Sequence, residues 1–486
     1  MKIVLNNVGI LVNTSVDING LTVITGNNNS GKSTIGKVAF ALINAVKNYS
    51  IRASVDRFYY AIEQLSDISK IFPISFVRSF LKNNEQSSAL SNLFLDVDKL
   101  RKMELGEIDT FLLKVESELE NLSYISSVES KKDGAFAKEK RVSWDFFDLN
   151  FPVYSEKRFL HDKEKAISLV RNIIANINSD PDYRKYIQQS IMTQLNVEFS
   201  SQLAPARNPS CEVAIDVYDD EHSCFSLRIE NWELKNENRS IFENSPYNNV
   251  VFVDDPYVIE DDQSWRSFKQ PVKGNSYLDP GAVWNHRDTL RWDIKQIYPN
   301  NMWEQVVLSE NYNKIKQKID EILPGSFVKE GDEAYYTNGN EIKLKLSNLA
   351  TGSKMFSIIK ILLERGKLDS STLLILDEPE CHLHPEWQNL FAEIVVMLVK
   401  EVGCHVLLTT HSQNFLLALD AYTRKYAIEN RSNFYQAKKD GSTISFKNVN
   451  SNMNLIYADF LRAFSRMKSI YDEIVYEKST NEDVSF

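Results

Sequence analysis

Three short stretches carry residues whose types and order point to phosphate chemistry. Gly26-Asn27-Asn28-Asn29-Ser30-Gly31-Lys32-Ser33 matches G-x-x-x-x-G-K-[ST] in full. Glycines there let the backbone curl, so that successive N–H groups face a β-phosphate at the positive end of the following helix. Lys32 would then reach the β- and γ-phosphates of a nucleotide, and the Ser33 hydroxyl would ligate Mg²⁺. The competing reading is an Asn/Gly-rich turn before a helix, because Asn also tolerates left-handed backbone. The apolar stretch before the motif and the amphipathic one after it favour the phosphate loop.

The second stretch is Leu373-Leu374-Ile375-Leu376-Asp377-Glu378. An apolar strand delivers Asp377 to its C-terminal edge, where ligands sit in open α/β sheets. Asp377 would hold Mg²⁺ through water, and Glu378 would polarise an attacking water. The third, Thr409-Thr410-His411-Ser412, also closes an apolar run, and His411 could donate to the γ-phosphate or orient the lytic water. Either stretch alone could be a core strand with solvated polar residues after it; their order behind a phosphate loop favours function. A fourth stretch, Leu349-Ala350-Thr351-Gly352-Ser353-Lys354, precedes a predicted helix. An exposed Gly352 at that helix N-terminus could bind a γ-phosphate through backbone N–H groups and the helix dipole. With one phosphate loop already present, this anion site would serve a nucleotide held by a neighbouring subunit.

These residues need a sheet to converge on. Lys2–Leu5, Ile10–Ile18 and Leu21–Thr25 read as strands, with a turn at Asn19-Gly20 and a helix over Thr34–Val46. From about Tyr49 to Asn196 apolar residues recur at helical spacing, with polar breaks at Asn83–Ser88 and Ser130–Gly134 and no sustained heptads, which predicts a compact helical lobe. Cys211–Val217 and Cys224–Ile229 alternate around a turn at Asp219–His222, as a hairpin does. Asn249–Val253 is a further strand, Gly274–Trp284 a loop, and helices are expected near Arg287–Ile297 and Glu304–Ile322. The last third alternates: strand Ile342–Leu346, loop Ser347–Ser353, helix Met355–Glu364, strand Thr372–Leu376, helix Pro385–Val402 and strand His405–Thr409. That rhythm predicts a parallel sheet covered by helices. A final amphipathic helix near Asn454–Val475 leads to a polar tail expected to be mobile.

Bulk properties bound the function. With 486 residues, 43% of them hydrophobic, and few Gly and Pro, the chain can bury a large core. A net charge of −10 gives nucleic-acid binding no general support. Four cysteines form no disulfide framework, and no apolar run is long enough for a membrane span, so a cytoplasmic protein is expected.

Together the motifs resemble the ABC-type ATPase heads of SMC proteins, RecF and the OLD-family ATPases. By that resemblance Gly26–Thr34 corresponds to Walker A, Leu349–Lys354 to the signature loop, Leu373–Glu378 to Walker B and His411 to the switch histidine. The run Leu376–Gln388 is similar to prokaryotic AAA-family ATPases of antiphage systems, such as the PtuA ATPase of Septu. The resemblance covers roughly the first 50 and last 150 residues. It implies a P-loop NTPase, ABC-type head: an α/β fold with a mainly parallel sheet, an antiparallel β lobe and a helical insertion. The nucleotide-binding residues would be Gly26, Asn27, Asn28, Asn29, Ser30, Gly31, Lys32, Ser33 and Thr34, with Thr351, Gly352 and Ser353 from a second copy. Catalysis would fall to Glu378 and His411, and Mg²⁺ to Ser33 and Asp377. The implied division is residues 1–48 as the start of the head, 49–197 the helical insertion, 198–340 the hairpin and helical part, 341–430 the ATPase core, and 431–486 terminal strands, helix and tail.

The chain departs from the family pattern at Ala350, where a serine is expected, leaving Thr351 or Ser353 to supply the hydroxyl and pointing to slow turnover. The glutamine-bearing loop is assigned to the strand end at Asp254-Asp255. Cys381-His382-Leu383-His384 with Cys404-His405 offers zinc-type donors, yet lacks a C-x₂-C pair and overlaps the segment that, by resemblance, crosses the dimer interface; an interface turn is the expected reading. The expected function is an ATP- and Mg²⁺-dependent ATPase that dimerises around nucleotide, or assembles into a higher homo-oligomer, and controls a separate effector, a nuclease or toxin, in antiphage defence. An SMC- or RecF-like DNA-binding ATPase is the alternative. A self-contained OLD-type nuclease is disfavoured, because the residues after His411 lack a D-x-D pair, and the long separation of Gly31 from Gly352 disfavours a transporter.

Overall fold

A computed structural model of the chain describes residues 1–47, 49–83, 88–95, 100, 103, 105–124, 154–179, 182–219, 222–235, 245–260, 284–295, 310–330, 333–338, 343–454, 456–458 and 465–473. The expected break at Ser130–Gly134, most of the loop at Gly274–Trp284 and the tail after residue 473 lie outside them. The described strands are β1 (Lys2–Asn6), β2 (Thr14–Asp17), β3 (Leu21–Thr25), β4 (Val213–Asp219), β5 (His222–Glu230), β6 (Glu233–Leu234), β7 (Asn249–Val253), β8 (Ser326–Glu330), β9 (Glu333–Thr337), β10 (Lys343–Lys345), β11 (Thr372–Asp377), β12 (His405–Thr410), β13 (Ser432–Asp440) and β14 (Thr443–Asn448). The described helices are α1 (Lys32–Val46), α2 (Tyr49–Ile71), α3 (Ile74–Asn83), α4 (Ala89–Leu95), α5 (Ile108–Glu120), α6 (Glu156–Asn178), α7 (Tyr183–Phe199), α8 (His286–Lys295), α9 (Glu310–Asp320), α10 (Thr351–Glu364), α11 (Pro385–Met397) and α12 (Gln413–Lys425).

Contacts divide the chain into two units: Met1–Lys47 with Ile187–Ser267 and Val283–Phe486, and Asn48–Tyr186 with Phe268–Ala282. In the second unit, α2 to α6 enclose an apolar core that includes Phe58, Leu65, Leu112, Phe159 and Val170. Its aromatic centre stacks Phe72 on Phe76, ring centroids 5.3 Å apart, with Phe159 5.3 Å from Phe76.

The first unit is an α/β layer structure. Its main sheet runs β14-β13-β3-β12-β11-β7, parallel throughout except for the antiparallel β13–β14 edge. Because β3, β11 and β12 are rich in Leu, Ile, Val and Thr and are buried along nearly their whole length, they suit a sheet covered on both faces. Leu21, Val23, Leu374, Leu376 and Leu408 pack there with Phe356 of α10, Phe391 of α11 and Phe415 of α12. The register sets Thr410 beside Thr25 and Asp377 beside Thr409, so β3, β12 and β11 end at one edge of the sheet. A second, antiparallel sheet runs β2-β1-β4-β5-β6.

Two expectations are corrected. The strand expected at Ile342–Leu346 is β10, and it joins β9 and β8 in a separate three-stranded antiparallel sheet instead of the parallel one. The expected loop Ser347–Ser353 is shorter: a 3₁₀ turn spans Leu346–Asn348, and α10 begins at Thr351. Strands β8 and β9 are five residues each and group their apolar residues side by side instead of alternating them, so their periodicity is too weak to read. No described helix is long and apolar enough to cross a membrane.

Candidate nucleotide site

The loop after β3 turns tightly into α1. Gly31 caps the helix at φ +72°, and a Cβ there would stand 2.8 Å from Leu11 Cδ2, so both backbone conformation and space require glycine. Asn29 also adopts a left-handed conformation. Lys32 is 4% exposed; its ammonium donates to the carbonyls of Gly26 and Asn27, both at 3.0 Å, and faces Glu378 Oε1 at 3.3 Å. Asn27, Asn28 and Asn29 are exposed, while Ser33 and Thr34 are half-buried at the start of α1. The Ser30 hydroxyl is buried with no hydrogen-bond partner among the described residues. A buried cation folded back on its own loop, beside an unsatisfied hydroxyl, fits a cradle that an anionic phosphate would complete.

At the end of β11 the Thr409 hydroxyl donates to Asp377 Oδ1, and the Glu378 amide donates to the Thr409 carbonyl at 3.1 Å and to its hydroxyl at 3.2 Å. Glu378 holds φ +49°, a left-handed conformation uncommon for a residue with a side chain, of the kind that clusters at functional sites. It splits its carboxylate: Oε1 faces Lys32, and Oε2 faces His411 Nδ1 at 3.1 Å. Burial alone would raise the Glu378 pKa, but His411 and Lys32 outweigh it and hold the carboxyl below its ordinary range.

Glu380, 2% exposed, holds the next turn. Its Oε1 accepts from the Thr410 hydroxyl at 2.6 Å and from the His411 amide at 3.2 Å, and burial pushes its pKa up. His411 itself is exposed. The sheet thus brings together Lys32, Asp377, Glu378 and His411 from three adjacent strand ends. Thr409 and Glu380 are the fixing groups that motif reading passes over. A Thr in register with the acidic strand end is the signal for the first; a Glu two residues beyond Glu378 is visible only once buried.

The start of α10 differs from its expected form. Gly352 is buried, not exposed: a Cβ there would lie 2.9 Å from Trp387 and 3.3 Å from the His382 carbonyl. Glycine serves close packing at this point. The Thr351 hydroxyl lies 3.0 Å from the Tyr257 hydroxyl, Lys354 pairs with Glu260, and Ser353 is half-buried.

Asp254, the strand end assigned to the glutamine-bearing loop, is taken up by other partners. It faces His286 Nε2 at 3.0 Å and Arg287 at 2.7 Å. Burial works against its ionisation, yet His286 and Arg287 prevail and hold its pKa down at about 2. The zinc-type run also separates. Cys404 is buried, with His405 accepting from the Gly20 amide at the start of β12, whereas Cys381 is exposed beside Glu378 at the opposite end of the sheet. His384 caps α11 by accepting from the Glu386 amide.

Comparison with solved structures returns SMC heads. The SmcHead bound to the C-winged helix domain of ScpA is 12% identical, covering 92% of this chain and 96% of that one at a TM-score of 0.37. The SMC head domain from Thermotoga maritima is 10% identical, covering 92% and 98% at 0.33. The Pyrococcus furiosus Smc head with an extended coiled coil, bound to the C-terminal domain of ScpA, is 10% identical, covering 95% and 98% at 0.32. No curated protein matches. A family model matches residues 21–418, from the strand that enters the phosphate loop to the helix beyond His411, and the chain belongs to the family it describes: AAA domain, putative AbiEii toxin, Type IV TA system.

Proposed function

We propose that the chain is an ABC-type ATPase that binds ATP·Mg²⁺ and hydrolyses it. The observation that carries this is the convergence of Lys32 and His411 on the two oxygens of Glu378, at the sheet edge where the phosphate loop also ends. Bound phosphate would draw Lys32 off Glu378 and the loop carbonyls, freeing Glu378 to polarise water. Glu378 stays a carboxylate under the influence of His411, so it can accept a hydrogen bond from that water. His411, its backbone pinned by Glu380, orients the water or steadies the developing charge. Ser33 and Asp377 would hold Mg²⁺, which neutralises charge on the β- and γ-phosphate oxygens. Thr409 fixes the Asp377 carboxylate for that task.

The γ-phosphate would be completed by Thr351, Gly352 and Ser353 of a second copy. Thr351 lies against Tyr257, and Gly352 packs close to Trp387 and the His382 carbonyl, while the contacts recorded for Lys32 are with Gly26, Asn27 and Glu378. Gly352 contributes by letting the first turn of α10 lie close to Trp387; the turn's amides and the Thr351 and Ser353 hydroxyls face the phosphate. Light scattering of Glu378→Gln with ATP·Mg²⁺ tests it. A nucleotide-dependent doubling of mass is expected, and a mass indifferent to ATP would sink the shared site.

At the level of the cell, the chain acts in the cytoplasm as the ATPase and sensor of an antiphage system that controls a separate nuclease or toxin. The family's description, a putative toxin of a Type IV TA system, supports a role in such a system without naming a separate effector; the acidic net charge does not favour DNA as the main ligand. Co-purification of an effector from the native host, lost on ATP withdrawal, is the expected result, and full activity of the isolated chain on DNA would overturn it.

A further inference from the structure

One donor at the site has no part in ATP hydrolysis. Cys381 is exposed, and its Sγ lies 3.6 Å from Glu378 Oε2, the same oxygen that faces His411 Nδ1 at 3.1 Å. We propose that Glu378, Cys381 and His411 form a binding site for a thiophilic divalent cation, of which Zn²⁺ is the type, and that its occupancy arrests the ATPase.

The geometry is close to what such an ion requires. All three donor atoms lie within 4.8 Å of one another, the one such group of His, Cys and acidic ligands among the described residues. Tetrahedral zinc with bonds of about 2.0–2.3 Å places its ligand atoms about 3.3–3.8 Å apart, so shifts of well under an ångström per side chain would close the site. His411 and Cys381 have the freedom to make them, both being exposed. Glu378 would coordinate through Oε2 alone, leaving Oε1 on Lys32.

The donor set also selects. Sulfur and imidazole favour Zn²⁺ over Mg²⁺, which takes oxygen ligands and gives up water reluctantly. The ion needed for turnover would therefore not compete here, while a borderline-soft ion would. Three protein ligands leave a fourth position for water, as in zinc sites that stay open. The Glu380 carboxyl, 3.9 Å from His411 Nδ1, lines the inner side of the imidazole. Binding releases the Cys381 thiol proton to solvent. It occupies the Glu378 oxygen and the His411 nitrogen that orient water, so turnover stops. Binding itself does not depend on the ATPase reading, but the arrest does.

The test uses the full chain, stripped of metal. Zn²⁺ is titrated in competition with a chromophoric chelator, and Co²⁺ serves as a spectroscopic probe. Expected are a thiolate-to-Co²⁺ charge-transfer band, loss of that band in both Cys381→Ser and Cys381→Ala, and Zn²⁺ affinity weakened by about tenfold or more. His411→Ala weakens it as well, and Cys211→Ser changes nothing. With Mg²⁺ supplied and Zn²⁺ absent, turnover of Cys381→Ser matches the parent, and the Zn²⁺ concentration that halves turnover rises in step with the loss of affinity. Equal Zn²⁺ affinity in the parent and the Cys381 variants, or no thiolate band, would overturn the site. Tight Zn²⁺ binding that leaves turnover intact would overturn the arrest. A chain that binds Zn²⁺ through Cys381 yet never hydrolyses ATP would retain the metal site and refute the ATPase reading instead.

Discussion

Two histidines in the first unit each face a pair of carboxylates, and they differ in almost everything else. His411 stands at the end of β12 beside Glu378 and Glu380, with 42% of its side chain exposed. His286, at the start of α8, is 7% exposed: Nδ1 lies 2.7 Å from Glu198, Nε2 3.0 Å from Asp254, and the ring stacks on Phe252 with centroids 4.3 Å apart. The Glu198 carboxylate also accepts the His286 backbone amide at 2.7 Å. Burial would lower the His286 pKa, but the two carboxylates win and raise it, favouring the charged form of the imidazole in a buried ion cluster. Nδ1 is hydrogen-bonded to Glu198, Nε2 lies against Asp254 at ion-pair distance without hydrogen-bond geometry, and the ring is buried away from any reactant. At His411 one edge faces the Glu378 carboxylate and the rest meets water. Proximity of His to acid does not distinguish a working site from a structural one; an open, unsaturated side does.

The comparison breaks most sharply by substitution. Glu378→Gln should lower ATP turnover by about 10²–10⁴-fold in a chain that stays folded, because it removes a water-polarising group and no packing, while Lys32 keeps the Gly26 and Asn27 carbonyls. Turnover within severalfold of the parent would mean that this cluster, too, is structural. His286→Ala should do the reverse, destabilising the fold by about 3–5 kcal/mol in denaturant titration, since the buried Glu198 carboxylate would lose its counterion and Asp254 would keep only the half-exposed Arg287. An unchanged midpoint would show that water satisfies those acids and the cluster is open after all.

Acid sharpens the same contrast. The Asp254 pKa is depressed from 3.8 to about 2, so its stabilisation is present above about 3.8 and is lost as pH falls through about 2; it amounts to about 2 kcal/mol. His286 has the opposite sign: its pKa is raised above 6.5, so its contribution is full below that value and fades as pH rises through the folded pKa. The loss of stability between pH 4 and 2 should therefore be smaller in Asp254→Asn, and an identical acid limb would refute the assignment. The smallest effect belongs to Arg287→Ala. Its guanidinium pairs with Asp254 but is 47% exposed, so roughly 0–1 kcal/mol is expected by thermal unfolding. A much larger loss would mean that Arg287, and not His286, is the main counterion.

Motif positions were legible wherever contiguous residues carry the chemistry. Gly31 needs its left-handed turn, and Lys32 its place at the helix start, whatever surrounds them. The strands Leu21–Thr25 and Asn249–Val253 are also readable as printed in the chain, because short runs rich in Val, Ile, Leu, Phe and Thr suit a sheet buried on both faces. Gly352 was not. Its surroundings come from Trp387 and His382, thirty or more residues away, and the same side-chain absence that suggests an anion site also permits close packing. Asp254 shows the same limit: a strand-end acid reads alike whether a nucleotide or His286 lies opposite.

The sequence by itself determined the phosphate loop, the acidic and histidine-bearing strand ends and the α/β alternation that joins them, since each depends on local backbone preference and on which faces are apolar. Only the tertiary structure decided that Lys32 and His411 meet on one carboxylate, that Thr409 and Glu380 hold the two turns, that Gly352 is covered, and that Cys381 is brought beside Glu378 while Cys404 is carried to the far end of the sheet. Those pairings follow from parallel strand register and from what packs over each strand end, long-range facts that no local stretch of residues contains.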